Sequence, residues 1–171
     1  MDTVKLVRKS KKGNNLAFSI LIKSYEKDLY KVAIAMTKND DDALDCIQEA
    51  ILQAYINIKD LRQDEYFKTW LIKILINKCN ALLKKNKKIL NLDVNTSKND
   101  KVEQSDRLEL KDSINSLDSD LRIIIILYYY EDMSIKDISE SLNIPQGTIK
   151  SRLSRARSKL KEMLSIDEGV L

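Results

Sequence analysis

Histidine is absent from this 171-residue chain, and glycine (three), cysteine (two), proline (one) and tryptophan (one) are scarce. Without histidine, Cys46 and Cys79 cannot complete a zinc site of the usual Cys/His kind, and two cysteines are too few for a disulfide framework. Both sit inside apolar periods and are expected as reduced thiols, which suits a cytoplasmic protein. So little glycine and proline leaves no turn supply for an all-β fold, so an all-helical chain is expected. No apolar run approaches the roughly 20 residues of a membrane span. The basic start, residues 1–15, is not followed by a signal-peptide core. Thirty basic residues against twenty-six acidic ones give a net charge of only +4. Any polyanion site must therefore come from local sorting of charge. No glycine-rich phosphate loop and no recognisable pair of catalytic acids is present, so an enzyme is the hardest reading to defend, and neither metal nor cofactor is expected.

What the chain does have is helical periodicity. Phe18, Leu21, Ile22, Tyr25, Leu29, Val32, Ala33 and Met36 form one stripe, predicting a core helix from about Asn15 to Lys38. The acids Asp40, Asp41 and Asp42 suit the start of the next helix, where the dipole favours negative charge. That helix runs to about Lys59 and buries Ala43, Ile47, Ala50, Ile51, Ala54 and Ile58. Asp45, Gln48, Glu49 and Leu52 share its other side. An exposed leucine rimmed by acids and an amide fits a protein contact as well as an ordinary solvated face.

After a polar connection from Asp60 to Lys68, a third helix is expected over about Thr69 to Lys84. Its apolar side is read as Tyr66, Phe67, Trp70, Leu71, Ile74, Leu75, Lys78 and Leu82. Lys73, Asn77, Asn80 and Lys84 make a polar stripe that runs into the cluster Lys84, Lys85, Lys87 and Lys88. Asparagine can pair with base edges, lysine with phosphates, and the preceding loop can hold an unstacked base; a solvated helix end fits the same residues. From about Ile89 to Ser105 no period is sustained, which reads as a linker.

Beyond it, Leu110, Ile114 and Leu117 indicate a helix beginning near Asp106, and Asp118 or Ser119 caps another over Leu121 to Glu131. The run Ile123–Tyr130 has strong β propensity. It is nevertheless assigned as helix, since no partner strand exists, with Leu127 and Tyr128 in the core. Ser134 with Asp137 starts a short helix bearing Ile135, Ile138 and Leu142, and Asn143 breaks it. Pro145 suits the start of a longer helix in which Ile149, Leu153, Ala156, Leu160 and Met163 or Leu164 face inward. Its opposite face carries Lys150, Ser151, Ser154, Arg155 and Ser158, with Arg152 and Arg157 on the flanks. A short helix, a tight turn and a second helix with a slim cationic face is the geometry that enters a DNA major groove. A solvated helical hairpin has the same composition, but cap, turn, proline and one-sided charge all agree on DNA.

Three stretches resemble the extracytoplasmic-function (ECF) sigma factors. Region 4 is matched by Gly147, Thr148, Ile149, Lys150, Ser151, Arg152, Leu153, Arg155, Ala156, Arg157 and Leu160. Region 2.2 is matched by DALDCIQEAILQAY, residues 42–55, and regions 2.3 and 2.4 by YFKTWLIKILINKCNALLKK, residues 66–85. The resemblance implies two small helical domains: residues 1–88 as sigma region 2, and 106–171 as a region 4 helix-turn-helix, joined by a flexible linker, 89–105. It implies a cytoplasmic initiation factor without catalytic residues or small-molecule substrate, whose partners are core RNA polymerase, through the β′ clamp helices and the β flap, and promoter DNA. An anti-sigma factor, often membrane-anchored, is implied as well.

Carried over by residue, Asp42, Asp45, Gln48, Glu49 and Leu52 would bind polymerase, and Lys73, Asn77, Asn80 and Lys84 the minus-10 element. Lys150, Ser151, Ser154 and Arg155 would read the minus-35 groove, with Thr148, Arg152 and Arg157 on phosphates. The chain departs from the family pattern at Leu44, Asn80, Lys84 and Asp118. A conventional helix-turn-helix regulator acting without polymerase stays as the alternative, as does a helical adaptor with no nucleic-acid role.

Overall fold

Short polar side chains mark where the helices begin, because each can accept a backbone N–H that the first turn leaves unbonded. The computed structural model describes residues 2–90 and 108–167, and its regular elements are all helical. In chain order they are α1 (Thr3–Lys11), α2 (Asn15–Thr37), α3 (Asp40–Asn57), α4 (Phe67–Leu90), α5 (Leu108–Ser116), α6 (Ser119–Ile125), α7 (Ile135–Leu142) and α8 (Gln146–Asp167). Asp2, Asn14, Asn39 and Ser134 cap α1, α2, α3 and α7, each accepting the N–H three residues on at 2.9–3.0 Å. The fold is all-α, as composition requires. The chain divides into two units, Met1–Leu83 and Lys84–Leu171. The expected linker, 89–105, lies outside the described residues beyond Leu90.

In the first unit α1 and α2 form a hairpin through Gly13, whose φ of 87° lies in the left-handed region open to glycine. The α2 stripe is buried at Phe18, Leu21, Leu29, Val32 and Ala33. Lys38, at φ 56°, ends α2, and its N–H bonds the Ile34 carbonyl. The hydroxyl of Tyr30 donates to Asp40, tying the end of α2 to the start of α3. Three-residue 3-10 turns, Ile58–Asp60 and Asp64–Tyr66, lead into α4.

α4 differs from expectation in two ways. It begins at Phe67 and continues to Leu90, so the lysines beyond Lys84 extend the helix instead of following it. Its buried stripe is Phe67, Leu71, Ile72, Leu75, Ile76 and Cys79, whereas Trp70, Ile74 and Leu82 are half-buried and Tyr66 is exposed. The predicted apolar side is thus rotated away from the true one. α4 meets α2 at Tyr25 and Asp28, through Phe67 and Lys68, and meets α3 at Glu49 through Lys78, and a helix covered by two neighbours buries a wider arc than one stripe can represent. Phe67 anchors it, with ring centroids 5.8 Å from Tyr25 and 5.9 Å from Trp70.

In the second unit, the β-prone run is a helix, α6, continued by one π-type turn over Ile126–Tyr130. Residues 121–127 are all buried, because α6 and its continuation pack against α5, α7 and α8. A helix buried on every side has no polar face to write a period, which is why its sequence imitates a strand. Leu127 is core as expected; Tyr128, also expected in the core, is half-buried, and Tyr129, Tyr130 and Leu110 are exposed. Arg122, on the buried segment, donates from Nη1 to the Asn115 carbonyl at 2.6 Å, and burial lowers its pKa. Asp118 occupies the cap position of α6 but makes no side-chain capping bond; its carboxylate pairs with Lys159 at 2.7 Å. Asn143, left-handed at φ 55°, closes α7. The hydroxyl of Ser139 donates to the Ile144 carbonyl across the turn, and α8 follows with the Pro145 carbonyl accepting from Ile149.

Candidate nucleic-acid interface

The inward residues of α8, Ile149, Leu153 and Ala156, are fully or almost fully buried, so the helix presents the opposite side outward. Gly147, Lys150, Ser151, Ser154, Arg155 and Ser158 are all exposed there. Small residues form the middle of this face and Lys150 and Arg155 its two edges. A Cβ built on Gly147 meets nothing within 4 Å, so the protein itself does not require glycine at that position. Lys150 and Arg155 make no ion pair among the described residues.

Their neighbours on the α6 side are engaged. Arg152 pairs with Asp120 at 3.0 Å and Lys159 with Asp118 at 2.7 Å. The acids at the start of α6 thereby neutralise one flank and leave the serine-centred strip as the cationic one. Thr148 is half-buried; its carbonyl accepts from Ser151 Oγ, while Arg157 Nε bonds the Leu153 carbonyl at 3.3 Å. Of the seven α8 residues singled out by sequence, the fold brings Lys150, Ser151, Ser154 and Arg155 onto one face and turns Arg152 toward α6.

On α4, Lys73, Asn77, Asn80 and Lys84 lie opposite the buried Leu71, Leu75 and Cys79, with Asn77 and Lys84 exposed and Lys73 and Asn80 half-buried. The same stripe extends back through the half-buried Trp70 to Tyr66, which is 58% exposed. From sequence Tyr66 had been read as part of the helix's apolar side. The signal that it is not core was its position one residue before Phe67, facing another way on the same turn. An exposed aromatic ring at the head of an Asn/Lys stripe is a surface on which a base can stack.

The other side of α3 is also exposed. Asp45, Gln48, Glu49 and Leu52 face solvent, Leu52 at 60%, while Asp42 is half-buried with its N–H on Asn39. Leu44, where the chain departs from the family pattern, and Ile56, not singled out from sequence, are exposed beside them, so the face is more apolar than its acids suggested. Glu49 reaches Lys78 of α4 at 3.3 Å.

Burial pushes the Cys46 and Cys79 thiols up, keeping them protonated. Among the described residues there is no cluster of three or more metal-ligating side chains, and no helix is long and apolar enough to cross a membrane.

Residues 21–89 match the family "Sigma-70 region 2" and residues 107–160 the family "Sigma-70, region 4". The chain is 31% identical over 166 residues to RNA polymerase sigma factor SigV of Bacillus subtilis, covering 94% of this chain and 98% of the relative. It is 30% identical over 178 residues to ECF RNA polymerase sigma factor SigW of the same organism, covering 94% and 95%. The solved structure of the sigma factor RpoE in complex with the anti-sigma factor NepR, from Bartonella quintana, matches with a TM-score of 0.68 at 27% identity, covering 85% of this chain and 96% of RpoE.

Proposed function

The chain belongs to the ECF sigma factors of the sigma-70 family, which are transcription initiation factors, and from this we propose how its surfaces divide the work. Residues 1–88 act as the polymerase-docking and minus-10 module, 106–171 as the minus-35 module, and 89–105 as the tether between them. Asp45, Gln48, Glu49 and Leu52, supported by Asp42, bind the β′ clamp helices of core RNA polymerase. Lys73, Asn77, Asn80 and Lys84 face the minus-10 element, with the loop before α4 taking an unstacked base. Lys150, Ser151, Ser154 and Arg155 read the minus-35 major groove, and Thr148 and Arg157 contact phosphates, whereas Arg152, first read as a phosphate contact, is held by Asp120. Chemistry stays with the polymerase, and the protein works beside it in the cytoplasm.

The observation that carries this reading is that α4 and α8 each hold a polar stripe bearing cations and turned away from the buried side of the helix. Two such stripes on one chain suit two promoter elements, and a tethered pair gains avidity only where both are engaged. A regulator that ignored polymerase would leave the region 2 match and the exposed α3 face without a use. The β flap has a candidate seat in an apolar groove of about 540 Å³ in the second unit, lined by Leu110, Ile114, Ile125, Tyr129 and Leu160. An anti-sigma partner, as RpoE has in NepR, would act by covering these same faces.

The test is run-off transcription by core enzyme plus the purified chain on a promoter library. Enrichment of two elements with a fixed spacer is expected. Enrichment of a palindrome bound without polymerase would refute the reading.

A further inference from the structure

α1 precedes the stretch matched to region 2, which begins at residue 21. It is nevertheless fixed to the body of the first unit. Val7 is fully buried and Ser10 nearly so, its hydroxyl donating to the Leu6 carbonyl. From one edge of α1, Arg8 and Lys11 reach the loop between α3 and α4. Arg8 Nε lies 3.0 Å from Asp64 Oδ2, and Lys11 Nζ lies 2.6 Å from Asp64 Oδ1. Lys11 also donates to the backbone carbonyl of Leu61. A single carboxylate thus takes two cations from successive turns of α1, and one of those cations also holds the chain three residues earlier.

We propose that Asp64, clamped by Lys11 and Arg8, is a positioning residue that sets the shape of the loop before α4 and thereby the base preference of the minus-10 site. The proposal rests on the reading of that loop as the place where an unstacked base is taken.

Three features of the loop make the clamp consequential. Its regular structure is two 3-10 turns of three residues each, which are weak alone because their hydrogen bonds are few and poorly aligned. Its anchors alternate with exposed residues: Leu61 is buried and held at its carbonyl, Asp64 is held at its carboxylate, and between and beyond them Arg62, Gln63, Glu65 and Tyr66 face outward. The exposed Tyr66 ring closes the clamped turn and leads the Asn/Lys stripe of α4.

Discrimination between bases needs contacting groups held in place before the base arrives, since a loop that must order on binding gives that free energy up equally for every base. An isolated exposed ion pair does little of this. Here two cations of α1 converge on a carboxylate and a backbone carbonyl of a segment fifty or more residues away in sequence. The Asp64 side chain is 15% exposed, and Lys11 first, then Arg8, hold its carboxyl below the usual carboxylate range.

The test uses the full chain with core polymerase on promoters that differ at one minus-10 position, reading the ratio of output between the best and the worst base. Lys11→Met and Asp64→Asn are expected to lower that ratio at least about threefold, while Lys11→Arg, which keeps a cation, stays within about twofold of the parent. Amide exchange over residues 61–66 is expected to quicken in the first two variants only. If output falls by one common factor on every promoter, or not at all, the positioning role is overturned. Arg8→Gln supplies a milder variant should Lys11→Met fold poorly, and an unchanged ratio there overturns it equally. If the unmodified protein shows no base preference at any minus-10 position, the base-taking reading of the loop fails, and the positioning role with it.

Discussion

Reversing the charge of Glu49 separates the fold of the first unit from its proposed docking function. The Glu49 side chain is 68% exposed and its ion-pair partner is Lys78, 3.3 Å away on α4. An exposed pair of this kind contributes about 0–1 kcal/mol, and a lysine facing Lys78 adds a repulsion of similar size. At roughly 4–8 °C per kcal/mol for a unit of this length, Glu49→Lys is expected to lower Tm by no more than about 16 °C and to leave helical content unchanged. At an interface the same reversal sets like charges together, or removes the acid a basic partner surface requires, which costs several kcal/mol. That corresponds to a loss of at least about a hundredfold in affinity for core polymerase. Glu49→Gln should fall between the two, and its deficit should shrink as salt is raised, because only attraction has been lost. Fluorescence anisotropy with core enzyme at two salt concentrations, beside a circular dichroism melt, measures both quantities. A Kd within about twofold of the parent at low salt, with the Tm lowered as expected, would refute the assignment of this face.

Arg155→Ala removes a cation from the exposed face of α8, and is expected to cost about 1–3 kcal/mol at the minus-35 element and to relax its sequence preference, read by promoter competition. Leu71→Ala empties a fully buried site beneath the α4 stripe and is expected to destabilise the first unit by about 2–5 kcal/mol in urea titration. Asp64 has a depressed pKa in the folded state, so its contribution is present above the ordinary value of 3.8 and is lost as pH falls through the lower folded value. Loosening of α1 is accordingly expected below pH 3.8 and not between 4 and 7, followed by amide exchange at Val7. Cys46 and Cys79, buried and protonated, should resist a thiol reagent in the native protein and react once it is unfolded.

Much of the architecture was legible because it is written in interactions three or four residues long. The Ser134–Asp137 cap, the Asn143 break and the charge sorting on α8 each involve residues within one or two turns, so spacing alone exposes them. The α2 and α3 stripes were readable for the same reason. Where a helix is covered from more than one side, the period fails as a guide. α6 is buried throughout residues 121–127 and has no outer face to report, and α4 places Ile72, Ile76 and Cys79 inside while Tyr66 stays out.

By itself, then, the order of residues determined that the chain is helical, where most helices start and stop, and which strip of α8 is cationic. Tertiary structure decided which cations remain available there, since Asp120 takes Arg152 across thirty-two residues and Asp118 takes Lys159 across forty-one. It also decided that α1 grips the loop before α4, through Arg8 and Lys11 on Asp64. Pairings at such separations leave no periodic trace: they depend on which helix faces lie side by side, and that is settled only when the cores of the two units close.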